Sequence, residues 1–495
     1  MSGTATGTDA STTLADDQDL TVAVERDPTR GKWDVYGGIT PYYTQVLEPL
    51  VGVNQEMETT PALATNWEAL DEQTWRFDLR EGVTFHNGAA LTADAVAASF
   101  ESILNYWSWA SGWIRLQPEG ITVVDDHTIE FENTEPFPAF PGTISHNYWA
   151  VWHPDADTDA GEVVGTGPFR VESITEGRRA TLVPFEDYRG ETARPSSLTF
   201  RFIEDPNTRS LALQKGEVDV AYKPPRSTAS ELSSGEATAI ETQLSTEAKL
   251  GAVNLYKSPT DDETLRRALN YAVDQASIVE NVLGGIGKPA RGPFSSAIPW
   301  AVHDELPEYG PDREKATQLV SESAYDGEEL TILVNSSKTD DKTTAEILQQ
   351  WFAEIGVEST IRQVEGASFY DTFTAGEAHV SLVDFGSNSA AADYVIRAMF
   401  HSQGSDNRKL YESEGTGIYN PGPEVDDLIE KGYAATDLET KTEHYGEVQR
   451  RVVETGAVVP LFYSEYVLGK RASVQGLGTH PIDKMVSWTD FRRTT

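Results

Sequence analysis

The chain holds many residues that could do chemistry, but few of them stand at spacings that catalysis uses. It has no cysteine, which excludes thiol nucleophiles, disulfides and Cys-ligated zinc. It has no HExxH, no GxSxG and no Walker loop. The nearest approach, Gly285-Ile286-Gly287-Lys288, lacks the earlier glycine and runs into Pro289. Gly165-Thr166-Gly167 could suggest a phosphate cradle, but no helix start follows and Pro168 removes a donor. It reads as a structural turn. No His/Asp/Glu cluster has metal-site spacing. A glycosidase needs two opposed carboxylates, and with 79 acidic residues any pair could be nominated. What remains is aromatic: 11 Trp and 19 Tyr, surfaces for stacking a ligand. None of these residues forms a recognisable catalytic constellation.

Charge sets the environment. Asp plus Glu number 79 against 39 Lys plus Arg, for a net charge of −40. The basic set is 25 Arg and 14 Lys, so Lys is the residue avoided. The acids are spread along the chain and form no tail. Such a charge strains a compact fold by self-repulsion in dilute buffer, and at molar salt a Debye length of about 3 Å screens most of it. Adaptation to high salt is the simplest reading. Nucleic acid is a poor partner, since phosphates require clusters of Lys and Arg.

The elements that must position a site are mixed. At about 150 residues per domain, 495 residues point to more than one domain. Leu20, Val22 and Val24 alternate as an opening strand. Trp75, Phe77 and Leu79 alternate with Arg76, Asp78 and Arg80 as a half-buried one. From Thr92, Val96, Phe100, Ile103 and Leu104 share a helical face. Leu198, Phe200 and Phe202 predict a further strand, and a helix runs from Asn207-Thr208 to Lys215-Gly216. A single helical stripe is expected over 263–283, stopped by Gly284-Gly285. A β-α-β unit follows: Leu330–Val334, Thr343–Ile355 and Val357–Val364, with Gly356 ending its helix. Antiparallel signals in the first half and a βαβ core in the second predict two lobes.

Several stretches together resemble the peptide/nickel (family 5) class of ABC-transporter substrate-binding proteins. They include Pro61-Ala62-Leu63-Ala64-Thr65-Asn66-Trp67, then Leu79-Arg80 with Val83, Phe85 and Gly88, and Gly165–Phe169. Asp205-Pro206-Asn207-Thr208-Arg209 leads to Gly216-Glu217 and Asp219. Asn254 precedes Leu265–Asp274, and Val459-Pro460-Leu461-Phe462-Tyr463 comes late. The matches stand in order over about 20–490. The resemblance implies an α/β fold, the large type II clamshell of periplasmic-binding proteins with an extra subdomain. Residues 1–19 would be a flexible tether. Lobe I would be 20–250 plus 468–495, with the subdomain at about 56–163, and lobe II 251–467. The chain would cross between lobes near Leu250–Leu255 and Glu465–Leu468. The implied function is capture of a small ligand between the lobes and delivery to membrane permease subunits, by a monomer with no cofactor and no enzymatic step.

The resemblance also places the cleft. Trp33 and Tyr36 (with Asp34) follow the first strand, Trp113, Tyr148 and Trp149 lie in the subdomain, and Phe385, Asn388, Asp393 and Tyr394 lie in the lobe II loop. In peptide-binding relatives an aspartate of this loop pairs with the ligand's α-ammonium. Asp393 holds the equivalent place, though the usual Asp-Pro is Asp393-Tyr394; its other role would be to cap the following helix. In the nickel branch an aromatic at the chelate site matches Trp113, but Ala110 and Tyr148-Trp149-Ala150 stand where chelator-binding basic residues would be. His401 is offset from a histidine of that branch. Peptide is the leading ligand, with a nickel chelate and then an oligosaccharide as alternatives.

No run of about 18 apolar residues exists to span a membrane, and the first 19 residues lack the pattern of a signal peptide. Members of the family are exported, often on an N-terminal lipid anchor, so the native leader and anchor cysteine are expected to have been replaced by Met1. A cytosolic protein is the alternative. The screening argument predicts that the folded circular-dichroism signal is lost below about 1 M KCl; a fold unchanged in dilute buffer would refute it.

Overall fold

The structure, a computed structural model, describes residues 14–15, 18–27, 29, 43–157, 162–407, 418–483 and 485–495. The first strand is Asp19–Val24. Thr74–Leu79 buries Phe77 and Leu79. Helix Ala93–Tyr106 starts where Thr92 Oγ1 accepts from the Ala95 amide at 3.3 Å, and it buries Val96, Phe100, Ile103 and Leu104. Helix Pro206–Gln214 is capped by Asp205, which accepts from the Thr208 amide at 2.7 Å.

One expectation needs correction. The stripe over 263–283 is two helices, Glu263–Ala272 and Gln275–Asn281. Val273 leaves the helical region (φ −92°, ψ 130°), and Asp274 accepts from the Ser277 amide at 2.9 Å. An aspartate that caps a new helix competes with continuation of the old one. Apolar periodicity is blind to that competition.

The glycines of Gly165-Thr166-Gly167 serve packing. A Cβ at Gly165 would lie 2.0 Å from Val46 O, and one at Gly167 would lie 2.1 Å from Gln45 O. Thr166 Oγ1 donates to Glu48 (2.9 Å), whose carboxylate is held by both terminal nitrogens of Arg189 at 2.6 and 2.7 Å. At the N-terminal end, Leu14 bridges Thr494, and the Ala15 amide donates to Arg493 O at 3.1 Å. The chain is therefore docked a few residues before the first strand.

The main sheet runs Phe169–Thr175, Arg179–Pro184, Ser197–Phe202, Asp19–Val24, Val220–Tyr222, Val458–Arg471, Thr238–Val253, Val380–Phe385, Leu330–Asn335, Ser359–Val364, with Lys288–Pro289 also paired to Val458–Arg471. Asp19–Val24 is parallel to both its neighbours. The βαβ unit is Leu330–Asn335, Thr339–Glu354 and Ser359–Val364, its strands parallel as the connecting helix requires. A separate four-stranded antiparallel sheet, Ala64–Ala69, Thr74–Leu79, Thr128–Asn133 and Leu116–Asp125, forms the subdomain.

Two long antiparallel strands, Thr238–Val253 and Val458–Arg471, join the halves. Residues 468–470 pair with Val220–Tyr222 on one side, and Ala248–Val253 pair with Val380–Phe385 on the other. Between them the register jumps from Leu244↔Glu465 to Ala248↔Tyr463, so Ser245, Thr246 and Glu247 face Ser464 alone. Such a bulge bends the strand and interrupts the ladder. Ser245 Oγ donates to Ser464 O at 2.9 Å and bridges the gap.

Beside the bulge, Lys249 is 3% exposed and pairs with Asp341 and with Asp384 (2.7 Å); Lys338 pairs with Asp384 as well. Burial works against the Lys249 ammonium, but the two carboxylates hold its pKa up at about 12. Burial likewise works against the Asp384 carboxylate, yet Lys249 and Lys338 hold it down at about 2. A carboxyl depressed in this way stabilises the fold fully above about pH 4, and the contribution is lost as pH falls through 2. Lys249→Met leaves Asp341 buried without its cation and Asp384 with Lys338 alone, at an expected cost of about 3–5 kcal/mol in denaturant unfolding near neutral pH. The deficit should narrow below pH 4 as those acids take up protons. A deficit independent of pH would contradict the assignment.

Candidate ligand-binding site

A cavity of about 1030 Å³ opens between the subdomain and the helix Asp393–Phe400 of the other half. Its subdomain wall is built by the segment after Ala93–Tyr106. Trp107 and Trp109 stack at 4.8 Å, the short helix Ala110–Ile114 presents Trp113, and Tyr148 packs edge-on to Trp107 at 4.6 Å. Arg115 follows that helix in the left-handed conformation (φ 52°), a strained setting for a non-glycine residue. Opposite lie Asn388, Tyr394 and Arg397.

The loop after Val380–Phe385 is braced from several directions. Thr246 Oγ1, within the bulge, donates to Ser387 O at 2.8 Å and accepts from the Ser387 amide at 3.1 Å. The Asn388 amide donates to Tyr394 Oη at 3.0 Å. The loop also touches the subdomain: the Ala390 amide donates to Ser145 Oγ at 2.9 Å and the Ala391 amide to Gly142 O at 3.4 Å. Burial raises the Tyr148 and Tyr394 phenols above their ordinary pKa, so both are neutral at physiological pH.

Of the residues expected to line a cleft, Trp113, Tyr148, Asn388 and Tyr394 meet in this one cavity. Trp113 and Tyr394 touch across it, ring centroids 5.7 Å apart. Trp149 and Phe385 do not line it: Trp149 is fully buried against Phe100 (5.3 Å), and Phe385 packs in the core of the second half. Asp393 is 2% exposed, and its carboxylate accepts from Tyr445 Oη (2.8 Å) and Lys441 Nζ (2.6 Å). Its charge is already matched from within, which corrects its expected role as an anchor for a ligand ammonium. It does not cap its helix either; Ala392 holds the N-cap position and Asp393 lies in the first turn. Trp33 and Tyr36 lie outside the described residues, as does Asp34.

The wall also holds residues not expected from sequence: Trp109, Arg115, Arg397 and Tyr433. Trp109 had a visible signal in the run Trp107-Ser108-Trp109, and at 46% exposure it is one of the most open large aromatics. Tyr433 had none, because it comes from a helix, Pro423–Ala434, far away in sequence. It stacks on Phe137 of the subdomain (5.5 Å, 8° between planes), and the Arg115 guanidinium sits 4.6 Å from its ring and 5.1 Å from Phe137. This three-residue clasp joins the two sides at the cavity wall.

A second cavity of about 870 Å³ flanks the bulge, lined by Lys223, Glu247, Lys249 and Asp384 among others. Its lysines are already matched: Lys223 by Asp483, and Lys249 and Lys338 as described. Among the described residues no group of three or more His, Asp or Glu could hold a metal ion, and no helix is long and apolar enough to cross a membrane.

Two lobes joined by a pair of strands, with a stacked aromatic cavity between them, define a type II binding-protein clamshell. The chain belongs to the bacterial extracellular solute-binding proteins, family 5, whose model matches residues 58–407. Binding and delivery of solutes to ABC importers is the work of this family, and it is not enzymatic. Similar proteins include the probable D,D-dipeptide-binding periplasmic protein DdpA of Escherichia coli, 26% identical over 440 residues, covering 86% of this chain and 83% of that one. The glutathione-binding protein GsiB of Salmonella typhimurium is 26% identical over 446 residues, covering 87% and 86%. A nickel ABC transporter structure from Bacillus halodurans shares the fold, with a TM-score of 0.81, 24% identity and coverage of 96% and 99%.

The clasp sets how firmly the walls meet. Tyr433→Ala removes a stack and a cation–π contact, and the protection of the Ala390 and Ala391 amides in hydrogen exchange should fall about tenfold or more. Tyr433→Phe keeps both rings in place and should leave the protection nearly unchanged. Equal loss in both variants would assign the effect to the hydroxyl.

Proposed function

We propose that this protein captures a small peptide in the cavity between the subdomain and the helix Asp393–Phe400, and presents it to an ABC permease. The observation that carries the reading is the cavity itself: about 1030 Å³, walled on both sides by aromatic residues from different lobes. A site of that size can enclose a short peptide. A ligand touching Trp113 and Tyr148 on one side and Asn388 and Tyr394 on the other gains most when the lobes are together, so binding shifts the population toward closure. The likeness to the probable D,D-dipeptide-binding protein DdpA and to the glutathione-binding protein GsiB supports the ligand class. Trp33 and Tyr36 belong to the proposed lining as well.

The lobes of this reading are 20–250 plus 468–495 and 251–467. Both divisions fall within the long strands, and the bend that serves as the hinge lies a few residues away from each, at the bulge of 244–248 opposite 463–465. The protein acts as a monomer at the extracellular face of a membrane, lipid-anchored in its native form, in a high-salt habitat that matches its charge of −40.

A nickel chelate is the second reading, favoured by Trp113 in the cavity wall and by the likeness to the nickel transporter structure. Mass spectrometry of gently denatured protein, purified without added ligand, separates the two. A peptide at near-stoichiometric amount is expected. Stoichiometric metal without peptide would establish the second reading, and a bound sugar would overturn both.

A further inference from the structure

We propose that the tip of the cavity loop, Ala390-Ala391, and its seat on the subdomain at Gly142 and Ser145 form a latch that stabilises the closed arrangement of the lobes apart from any ligand. Gly142 and Ser145 are then positioning residues for capture. They set how far the lobes approach, and neither they nor the two alanines line the 1030 Å³ cavity. The inference rests on the reading that the lobes open and close about the bulge.

The tip crosses from one half of the molecule into the other. Ala392 packs in the core of the second half, but Ala391 packs in the core of the first. Ala390 lies against Val53, Met57 and Ile482, also of the first half. The seat satisfies both backbone donors of the tip: the Ala390 amide donates to Ser145 Oγ at 2.9 Å, and the Ala391 amide to Gly142 O at 3.4 Å. Ser145 is fully buried, and its hydroxyl donates in turn to Gly142 O at 2.7 Å. That bond aims the proton away and leaves the oxygen free to accept from Ala390.

Gly142 fixes the depth of the seat. A Cβ there would lie 2.9 Å from Ala391 Cβ and 3.1 Å from the Ala391 nitrogen, inside the roughly 3.5–4.0 Å at which non-bonded carbons rest. The tip is held rigid by its own serines. Ser387 Oγ donates to Ser389 O at 2.8 Å and Ser389 Oγ to Ala391 O at 2.9 Å, with both side chains buried. Since Thr246 holds Ser387, hydrogen bonds run from the bulge through the loop to the subdomain. A rigid tip either seats fully or leaves, because partial withdrawal strands two buried amides without acceptors.

The chain has no cysteine, so two introduced ones are its only labelling sites. Glu132→Cys on the subdomain and Asp427→Cys on the second half, both at exposed positions, carry nitroxide labels. Double electron–electron resonance on the ligand-stripped protein in molar KCl should then resolve two distances, the shorter one closed. Gly142→Ala should lower the ratio of closed to open molecules about tenfold. Adding Ala391→Gly removes the nearest clashing atom and should restore part of that ratio, which damage to the fold would not do. Ser145→Ala strands the Ala390 amide and should lower the ratio about fivefold. Circular dichroism checks that each variant folds. Two distances whose ratio ignores both Gly142→Ala and Ser145→Ala would overturn the latch, as would a stripped protein that is open throughout, and in both cases the reading of moving lobes stands. A single distance unmoved by the variants and by the co-purified ligand would overturn the latch and that reading together.

Discussion

One ladder carries the whole architecture. Thr238–Val253 and Val458–Arg471 belong to both lobes at once: residues 468–470 are zipped to lobe I, and Ala248–Val253 to lobe II. Paired along their whole length, these strands would make a stiff continuous sheet. Three residues facing one at 245–247 interrupt the ladder where the lobes meet, and a strand bends where its ladder is broken. The same bulge reaches the site, because Thr246 holds both the carbonyl and the amide of Ser387, at the root of the cavity loop. The bulge, the proposed hinge, is thus in direct contact with the cavity loop.

Around this joint the protein spends its scarce lysines. Of 14 in the chain, Lys223, Lys249 and Lys338 stand at the bulge, each against at least one acid. In a chain of net charge −40, unneutralised carboxylates crowded at a hinge would force the lobes apart. The pairs remove that force locally, while the acids elsewhere remain for solvent and salt. The cavity on the other side follows different chemistry, with aromatic walls and arginines in place of lysines.

Much of this was legible in the sequence, for identifiable reasons. Phe77 and Leu79 on the subdomain strand, the Thr92-capped helix and the βαβ unit each follow from local periodicity and capping, which a linear reading sees. The break at Val273-Asp274 is hidden from periodicity because a cap inside an apolar stripe leaves the stripe intact. Trp113, Tyr148, Asn388 and Tyr394 line one cavity, and what groups them in the sequence is the resemblance, not their spacing. The engagement of Asp393 is invisible to a local reading because its partners, Lys441 and Tyr445, arrive from a helix about fifty residues away. The clasp of Arg115, Phe137 and Tyr433 spans three hundred residues, and no local pattern announces it. What a side chain does in a cleft depends on which distant residues already hold it.

The central claim is that ligand binding draws the two lobes together about the bulge. Small-angle scattering of the ligand-stripped protein, with and without saturating amounts of the co-purified ligand in molar KCl, tests it most directly. The account predicts a smaller radius of gyration on binding, and a weaker response when Thr246→Val cuts the link between the bulge and the cavity loop. Identical scattering with and without bound ligand would contradict it.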